Sequence, residues 1–392
     1  MPHQLPTILN DSFALRLALF YGALFLMVGI NLPFFPLWLE AKGLSAAAIG
    51  LALALPQLVR IAAIPAATRL ADRFGALRGA LVAVAAGAVA AHAALGLAKS
   101  ELAILIWIAI ASFVFTPVVP LCDAYALKGL SLRGVPYGPV RLWGSAAFIL
   151  GNLGAGFAIG WLAAIDLIWL IVLALMLLAL AAAALGPVDV APRTPEPPRK
   201  IPHLIGSPAF LAVAIAVSLI QASHTTYYGF SALDWSHKGF DGTTIGMLWA
   251  LGVVAEVVLF WFSGRLAFGA MTMIGIGAAS AVLRWSVMAV DPPAVLLPLL
   301  QVLHGLSFGA THLGTMQYLA RVAPEGGRAT AQGDVATVMG LASAGALWIS
   351  GMLYGRYGSL AYAAMAAAAL AGGLVIVLAA RLNRAAETKS GA

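Results

Sequence analysis

Charge is what this sequence has least of. Lysine and arginine number 22 and aspartate and glutamate 15 in 392 residues, 9% in all, against roughly 25% in a soluble domain. Soluble domains cut from a chain of this length would each need a charged exterior, and there is too little charge to cover one. Disorder is excluded by the same numbers, because it needs low hydrophobicity and high charge, whereas 62% of this chain is hydrophobic. The single cysteine, Cys122, makes no internal disulfide and belongs to no Cys/His cluster at metal-ligand spacing. HExxH and P-loop patterns are missing as well. The expectation is therefore no enzyme, no metal and no cofactor. The net charge of +7 comes without a basic stretch interleaved with aromatics, so no nucleic-acid partner is expected.

What the sequence has is long apolar runs. A bilayer core of about 30 Å asks for about 20 apolar residues per helix, and twelve runs qualify. They are 13–38, 45–68, 79–98, 102–124, 137–162 and 166–186, then 208–233, 242–263, 270–290, 294–320, 328–354 and 358–381. The proline-rich stretch 187–207 can neither continue a helix nor pack a core, and it separates two groups of six. This predicts an all-α polytopic membrane protein with an N-terminal six-helix bundle (1–186), a linker (187–207) and a C-terminal six-helix bundle (208–392).

The cations sort by side. Loops on the side of the N-terminus hold Arg69, Arg73, Arg78, Lys128, Arg133, Arg193, Arg199, Lys200, Arg265, Arg321, Arg328, Arg381, Arg384 and Lys389, whereas the opposite loops hold Lys42, Lys99, Lys238 and Arg356. Positive charge accumulates on the cytoplasmic side, so both termini and the linker are expected in the cytoplasm. The expected location is the plasma membrane, the inner membrane of a bacterium.

Shifting the chain by 196 aligns its halves. Phe34, Leu37, Lys42, Gly43, Ile49, Gly50, Ala54 and Leu55 fall on Phe230, Leu233, Lys238, Gly239, Ile245, Gly246, Ala250 and Leu251, and Arg69-Leu70-Ala71 falls on Arg265-Leu266-Ala267. A second stretch aligns at an offset of 193, with Tyr125 on Tyr318 and Lys128 on Arg321. Two repeated six-span halves are an arrangement of secondary transporters, with the solute site between the halves near mid-membrane.

Here the residues reach a family. Thr68-Arg69-Leu70-Ala71-Asp72-Arg73-Phe74-Gly75 resembles the loop signature between spans 2 and 3 of the major facilitator superfamily, with Asp72, Arg73 and Gly75 at matching positions. Thr68 stands for its leading glycine, and Ala76-Leu77 for its basic pair. LPFFPLWLEAKGLSAAAIG (32–50), YGPVRLWGS (137–145), MLWALGVVAEVVLF (247–260) and LHGLSFGATHLG (303–314) resemble the branch containing 3-phenylpropionic acid transporters and lactose-permease-like proton symporters. The resemblance implies secondary transport of a small organic solute, such as an aromatic carboxylate, by proton symport and alternating access, by a chain acting as a monomer. The Gly-Pro pair that drug antiporters carry in span 5 is missing from GNLGAGFAIG (151–160). Proton-coupled efflux, and a non-transporting receptor on the same fold, stay open as alternatives.

Ionisable residues inside spans are costly and by default functional. Arg16 and Asp123 lie near helix ends, where solvation accounts for them, and His92 sits in an alanine-rich run that suits packing. The repeat is sharper about four others: Arg60 coincides with Glu256, and Arg141 with Asp334. In the resembled fold span 2 lies against span 11 and span 5 against span 8, which implies the pairs Arg60–Asp334 and Arg141–Glu256 as cytoplasmic gate bridges. Permanent pairing that fixes helix register is the alternative. Arg284 could meet Glu256, an anion or a lipid headgroup.

Spans 1, 4, 7 and 10 line the cavity of the resembled fold. His304, Phe308 and His312 recur every four residues and share one helical face. Span 7 offers Gln221, His224, Thr225, Tyr227 and Tyr228, span 1 offers Tyr21 and Asn31, and span 4 offers Thr116. Polar and aromatic groups together suit a small amphipathic solute, although such a stripe also serves helix packing. Histidine exchanges protons near neutral pH, so His224, His304 and His312 are the candidates for the coupling proton, with Glu256 as a further one. If Arg60 and Asp334 pair, Arg60→Ala and Asp334→Ala each impair transport in vesicles, and the double variant loses less than the two losses combined; strict additivity refutes the pair.

Overall fold

The computed structural model describes residues 11–188, 203–324 and 327–390; the side chains of Asp72, Ala329 and 382–390 fall outside that description, as does most of the expected linker. Among the described residues the regular structure is entirely helical. This is what hydrocarbon imposes, since a helix satisfies its own backbone polar groups where no water is available. The helices are α1 Ser12–Ala41, α2 Ala46–Phe74, α3 Leu77–Leu97, α4 Glu101–Phe115, α5 Val118–Ser131, α6 Tyr137–Ile159 and α7 Leu167–Ala183. After the linker come α8 Pro208–Ala222, α9 Thr225–His237, α10 Gly242–Phe262, α11 Ala270–Ala289, α12 Leu297–His304, α13 Thr311–Val322, α14 Arg328–Tyr357 and α15 Tyr362–Ser390.

Among the described residues, eleven helical runs are long and apolar enough to cross a membrane. The last, Thr330–Arg381, has 52 residues, about 78 Å at 1.5 Å per residue, more than twice the thickness of a bilayer core. It is broken at Gly358, where φ is 56° and a short 3₁₀ turn, Gly358–Ala361, follows. The break leaves α14 and α15 with 30 and 29 residues, each enough to cross, which is compatible with twelve crossings. Helix starts are capped in ordinary ways. The Asp11 carboxylate accepts the amides of Phe13 and Ala14 at 2.9 Å, and Ser207 caps α8 ahead of Pro208 in its first turn.

Two compact units form. Among the described residues the first takes 11–44, 55–188 and 235–247, and the second takes 45–54, 203–234 and 248–390. Within the first, α1 packs on α6 and α7, and α3 on α4 and α7. Within the second, α8 packs on α14 and α15, and α11 on α13 and α15. The same pattern of neighbours thus recurs in both.

Structure supplies reasons for the repeated glycines. Gly43 and Gly239 each end a helix at φ +85°, a backbone region open to glycine at no steric cost. Their turns close alike: Leu44 N–H donates to the Leu39 carbonyl at 3.2 Å, and Phe240 N–H to the Trp235 carbonyl at 3.0 Å, the six-to-one bond of a Schellman ending. Gly50 and Gly246 mark close helix crossings. A Cβ on Gly50 would lie 2.7 Å from the Leu347 carbonyl oxygen and 2.8 Å from Gly351 Cα, and one on Gly246 would lie 2.5 Å from the Asn152 carbonyl oxygen. All three distances are too short for a methyl group against rigid backbone. Gly246→Ala is therefore expected to lower the unfolding temperature in detergent, whereas Gly22→Ala, with nothing within 4 Å of the added Cβ, leaves it unchanged or raises it.

Candidate functional site

The second unit holds a largely buried cluster built where its helices are interrupted. Span 7 breaks between α8 and α9 at Ser223 and His224. The Ser223 hydroxyl donates to the Ile220 carbonyl at 2.6 Å and accepts the Trp285 indole N–H at 3.0 Å. Span 10 widens from α12 into a π turn over Gly305–Ala310 before α13; such turns concentrate at functional sites. Close packing of Gly305 against the Ala255 backbone and of Gly309 against Leu259 and Glu256 brings this turn onto α10.

Hydrogen-bond logic fixes the histidine tautomers. His224 Nδ1 is 3.1 Å from the Ile220 carbonyl, and Nε2 is 3.0 Å from the Ser307 hydroxyl. A carbonyl only accepts, so Nδ1 carries the proton and Nε2 receives the serine hydrogen. In His304 the order is reversed. Arg284 Nη1 lies 3.0 Å from His304 Nδ1, and a guanidinium only donates, so the imidazole proton sits on Nε2. That nitrogen is 3.8 Å from Glu256 Oε2. Arg284 Nη2 donates to Gln301 Oε1 at 2.8 Å, and the guanidinium carbon lies 4.5 Å from the Tyr227 ring centre and 4.4 Å from that of Trp285. Gln301, Arg284, His304 and Glu256 thus form one polar line. Arg284 has no exposed surface, which rules out a lipid headgroup as its contact here.

The span 10 stripe is a ladder of rings. His304 and Phe308 stack at 5.3 Å with 17° between planes, and Phe308 and His312 at 6.4 Å with 4°. His304 is buried, Phe308 half-buried and His312 exposed. Tyr227 is buried, Tyr228 half-buried, and both contact the His304 ring. Thr225 belongs elsewhere, since its hydroxyl donates to the Ala222 carbonyl and lies 3.2 Å from Ser350 Oγ. Gln221 is half-buried at the end of α8, and its Oε1 has no hydrogen-bond partner.

In the first unit, span 4 is interrupted at Thr116-Pro117; Thr116 Oγ1 is buried without a partner, and Asn31 is half-buried on α1. Asp123 corrects the sequence expectation of a solvated end-of-helix carboxylate. It is half-buried and accepts the Tyr21 hydroxyl at 2.6 Å and the Tyr137 hydroxyl at 2.9 Å. Tyr137 opens the motif segment 137–145, and nothing in the one-dimensional pattern joins it to Asp123. His92 behaves as a packing residue, its Nδ1 2.8 Å from the Ala88 carbonyl and its ring edge-on to Phe115.

The four charges expected to pair across the halves have partners within their own units. Arg60 donates to Gln57 Oε1 at 3.2 Å, and the Arg141 guanidinium lies 3.9 Å from the Phe25 ring centre and 5.3 Å from that of Tyr21. Asp334 accepts His203 Nδ1 at 2.7 Å and the Leu204 amide at 3.1 Å, and Glu256 faces His304. Gate pairing would therefore require exchange of these partners. In the loop signature, Gly75 turns the chain at φ +59° and Arg73 lies over Phe74, while the Asp72 side chain lies outside the described residues.

Residues 14–364 match the model of the MFS_1 like family. The chain is 34% identical over 317 residues to the probable 3-phenylpropionic acid transporter of Escherichia coli K12, covering 78% of this chain and 81% of that protein. It is 30% identical over 325 residues to the maltose permease of Geobacillus stearothermophilus, covering 80% of each. Among solved structures, the nucleoside transporter NupG superposes with a TM-score of 0.79 at 16% identity, over 94% of this chain and 99% of that one. That likeness speaks for the fold alone.

Hydrogen bonds to a charged group contribute about 1.5–3 kcal/mol each. Tyr21→Phe and Tyr137→Phe are each expected to lower stability within that range in thermal unfolding. The double variant departs from additivity, because both phenols serve the same carboxylate oxygen.

Proposed function

Because the chain belongs to the MFS_1 like family and is a multi-pass membrane transporter, we propose that it moves a small organic solute together with a proton by alternating access. The observation that carries this reading is the line from Arg284 through His304 to Glu256. While Arg284 occupies His304 Nδ1, the imidazole has no free lone pair, so an added proton goes to Glu256, the carboxylate at the partly exposed end of the line. Both nitrogens of His224 are engaged as well, and this favours Glu256 over His224 and His304 as the proton carrier. His304 then acts as the neutral link that lets Arg284 respond to the protonation of Glu256.

The gate pairs fit the same scheme. When the cytoplasmic ends meet, Arg60 reaches Asp334 and Arg141 reaches Glu256, and protonation of Glu256 releases Arg141, so that proton uptake loosens one of the two bridges. An unpaired charge in a dry interface is costly, which ties the exchange to water entry as the gate opens. The helices on either side of 187–207 act as two bundles, 1–186 and 208–392, in a monomer of the inner membrane. Import follows from an inward proton gradient. The ring-rich wall formed by Tyr227, Tyr228, Phe308 and His304 favours an aromatic carboxylate of the kind named for the E. coli relative, over a sugar.

A gradient of one pH unit is about 1.4 kcal/mol, enough for about tenfold accumulation at one proton per solute. Proteoliposomes with an alkaline interior are expected to accumulate radiolabelled 3-phenylpropionate to that order. Glu256→Gln is expected to lose gradient-driven accumulation while still exchanging labelled for unlabelled solute across the membrane. Accumulation by Glu256→Gln equal to that of the parent protein refutes the assignment of the proton to this carboxylate.

A further inference from the structure

We infer that Arg284, Gln301 and Trp249 form a receptor for the carboxylate of an organic anion with an apolar body. The inference rests on the transport reading for solute reaching this wall, and it adds which groups recognise the solute and by what chemistry. Three N–H donors here are buried and have no acceptor: Arg284 Nε, Gln301 Nε2 and Trp249 Nε1. The guanidinium and the indole share one ring, since the Trp249 indole stacks on Tyr227 at 4.6 Å with 23° between planes and the Arg284 guanidinium carbon lies 4.5 Å from the centre of that ring. Gln301 is held to Arg284 by its own carbonyl oxygen, which leaves its amide nitrogen as the free end.

The charge balance points the same way. The groups in direct contact with Arg284 are an amide, an imidazole nitrogen acting as acceptor, the neutral Tyr227 hydroxyl and two aromatic rings. None is a carboxylate, and the carboxylate on this line, Glu256, is reached only through His304. Buried cations are normally paired or hydrogen-bonded throughout. A full positive charge with a spare N–H beside two more spare donors is a site short of one anion with two acceptor oxygens. A carboxylate supplies both together with the negative charge, whereas a hydroxyl of a neutral sugar or nucleoside accepts without charge and adds one more donor to the site. The half-buried rings of Tyr228 and Phe308 border the cluster and favour an apolar group on the remainder of the ligand.

Equilibrium binding of radiolabelled 3-phenylpropionate to the purified full-length protein tests this without any proton gradient. Unlabelled 3-phenylpropionate and hexanoate are expected to compete, and 3-phenylpropanamide and 3-phenylpropanol to compete at least about a hundredfold more weakly, as expected when a site's buried polar groups lose their partner. Trp249→Phe keeps one aromatic ring and removes the N–H; a loss of about tenfold in affinity is expected at a temperature where the unfolding curve shows the variant folded, together with narrowed discrimination between acid and amide. Arg284→Gln is expected to abolish that discrimination. Equal competition by acid and amide, unchanged affinity in Trp249→Phe, or no saturable binding of either acid overturns the receptor. Acid-selective binding combined with full accumulation by Glu256→Gln leaves the receptor standing and removes only the proton assignment.

Discussion

A guanidinium held out of water among neutral partners is the constraint around which the second unit is arranged. Charge at bilayer depth is expensive, and Arg284 has no exposed surface at all. Its surroundings follow from that. Two flanking rings offer their π faces, a glutamine offers its carbonyl, and a histidine is pinned in the one tautomer that leaves Nδ1 as an acceptor. The broken span 7 and the widened turn of span 10 bring those groups together, and the glycines of that turn let α10 come close enough for Glu256 to face the imidazole.

The first unit treats a carboxylate in the complementary way. Asp123 is surrounded by donors, with two phenol hydroxyls on one oxygen and a guanidinium held over nearby rings. One unit therefore concentrates acceptors around a cation and the other concentrates donors around an anion. In each, the charged groups and their partners come from different helices: α1, α5 and α6 in the first, α9, α10, α11 and α12 in the second.

The parts of this protein set by local rules were legible in its sequence. Hydrophobic runs of about 20 residues gave the crossings, and the positions of cations suggested an orientation. The offset of 196 picked out Gly43, Gly239, Gly50 and Gly246, whose roles in turns and crossings the structure supplies. The four-residue spacing of His304, Phe308 and His312 did mark one stacked face. What the sequence hid depends on helix rotation and depth, to which spacing along a single helix is blind. Asp123 looked like an end-of-helix charge because nothing in its own helix announces Tyr21 or Tyr137. Asp334 seemed to await Arg60 because the repeat matched charges, whereas its oxygens meet His203 and the Leu204 amide at the end of a proline-rich stretch. Arg284 was ambiguous until its lack of exposure and its neutral partners were visible.

The π turn in span 10 also has a geometric consequence. Four residues of α-helix overshoot a full turn by about 40°, so two such steps would carry His312 about 80° around the axis from His304. A turn closed by bonds to the fifth residue is wider, and four residues fall short of completing it. The shortfall cancels much of the overshoot, so the three rings stay eclipsed across eight residues. An extra residue per turn thus works as a phase correction. It keeps a buried imidazole and an exposed one in a single column of stacked rings.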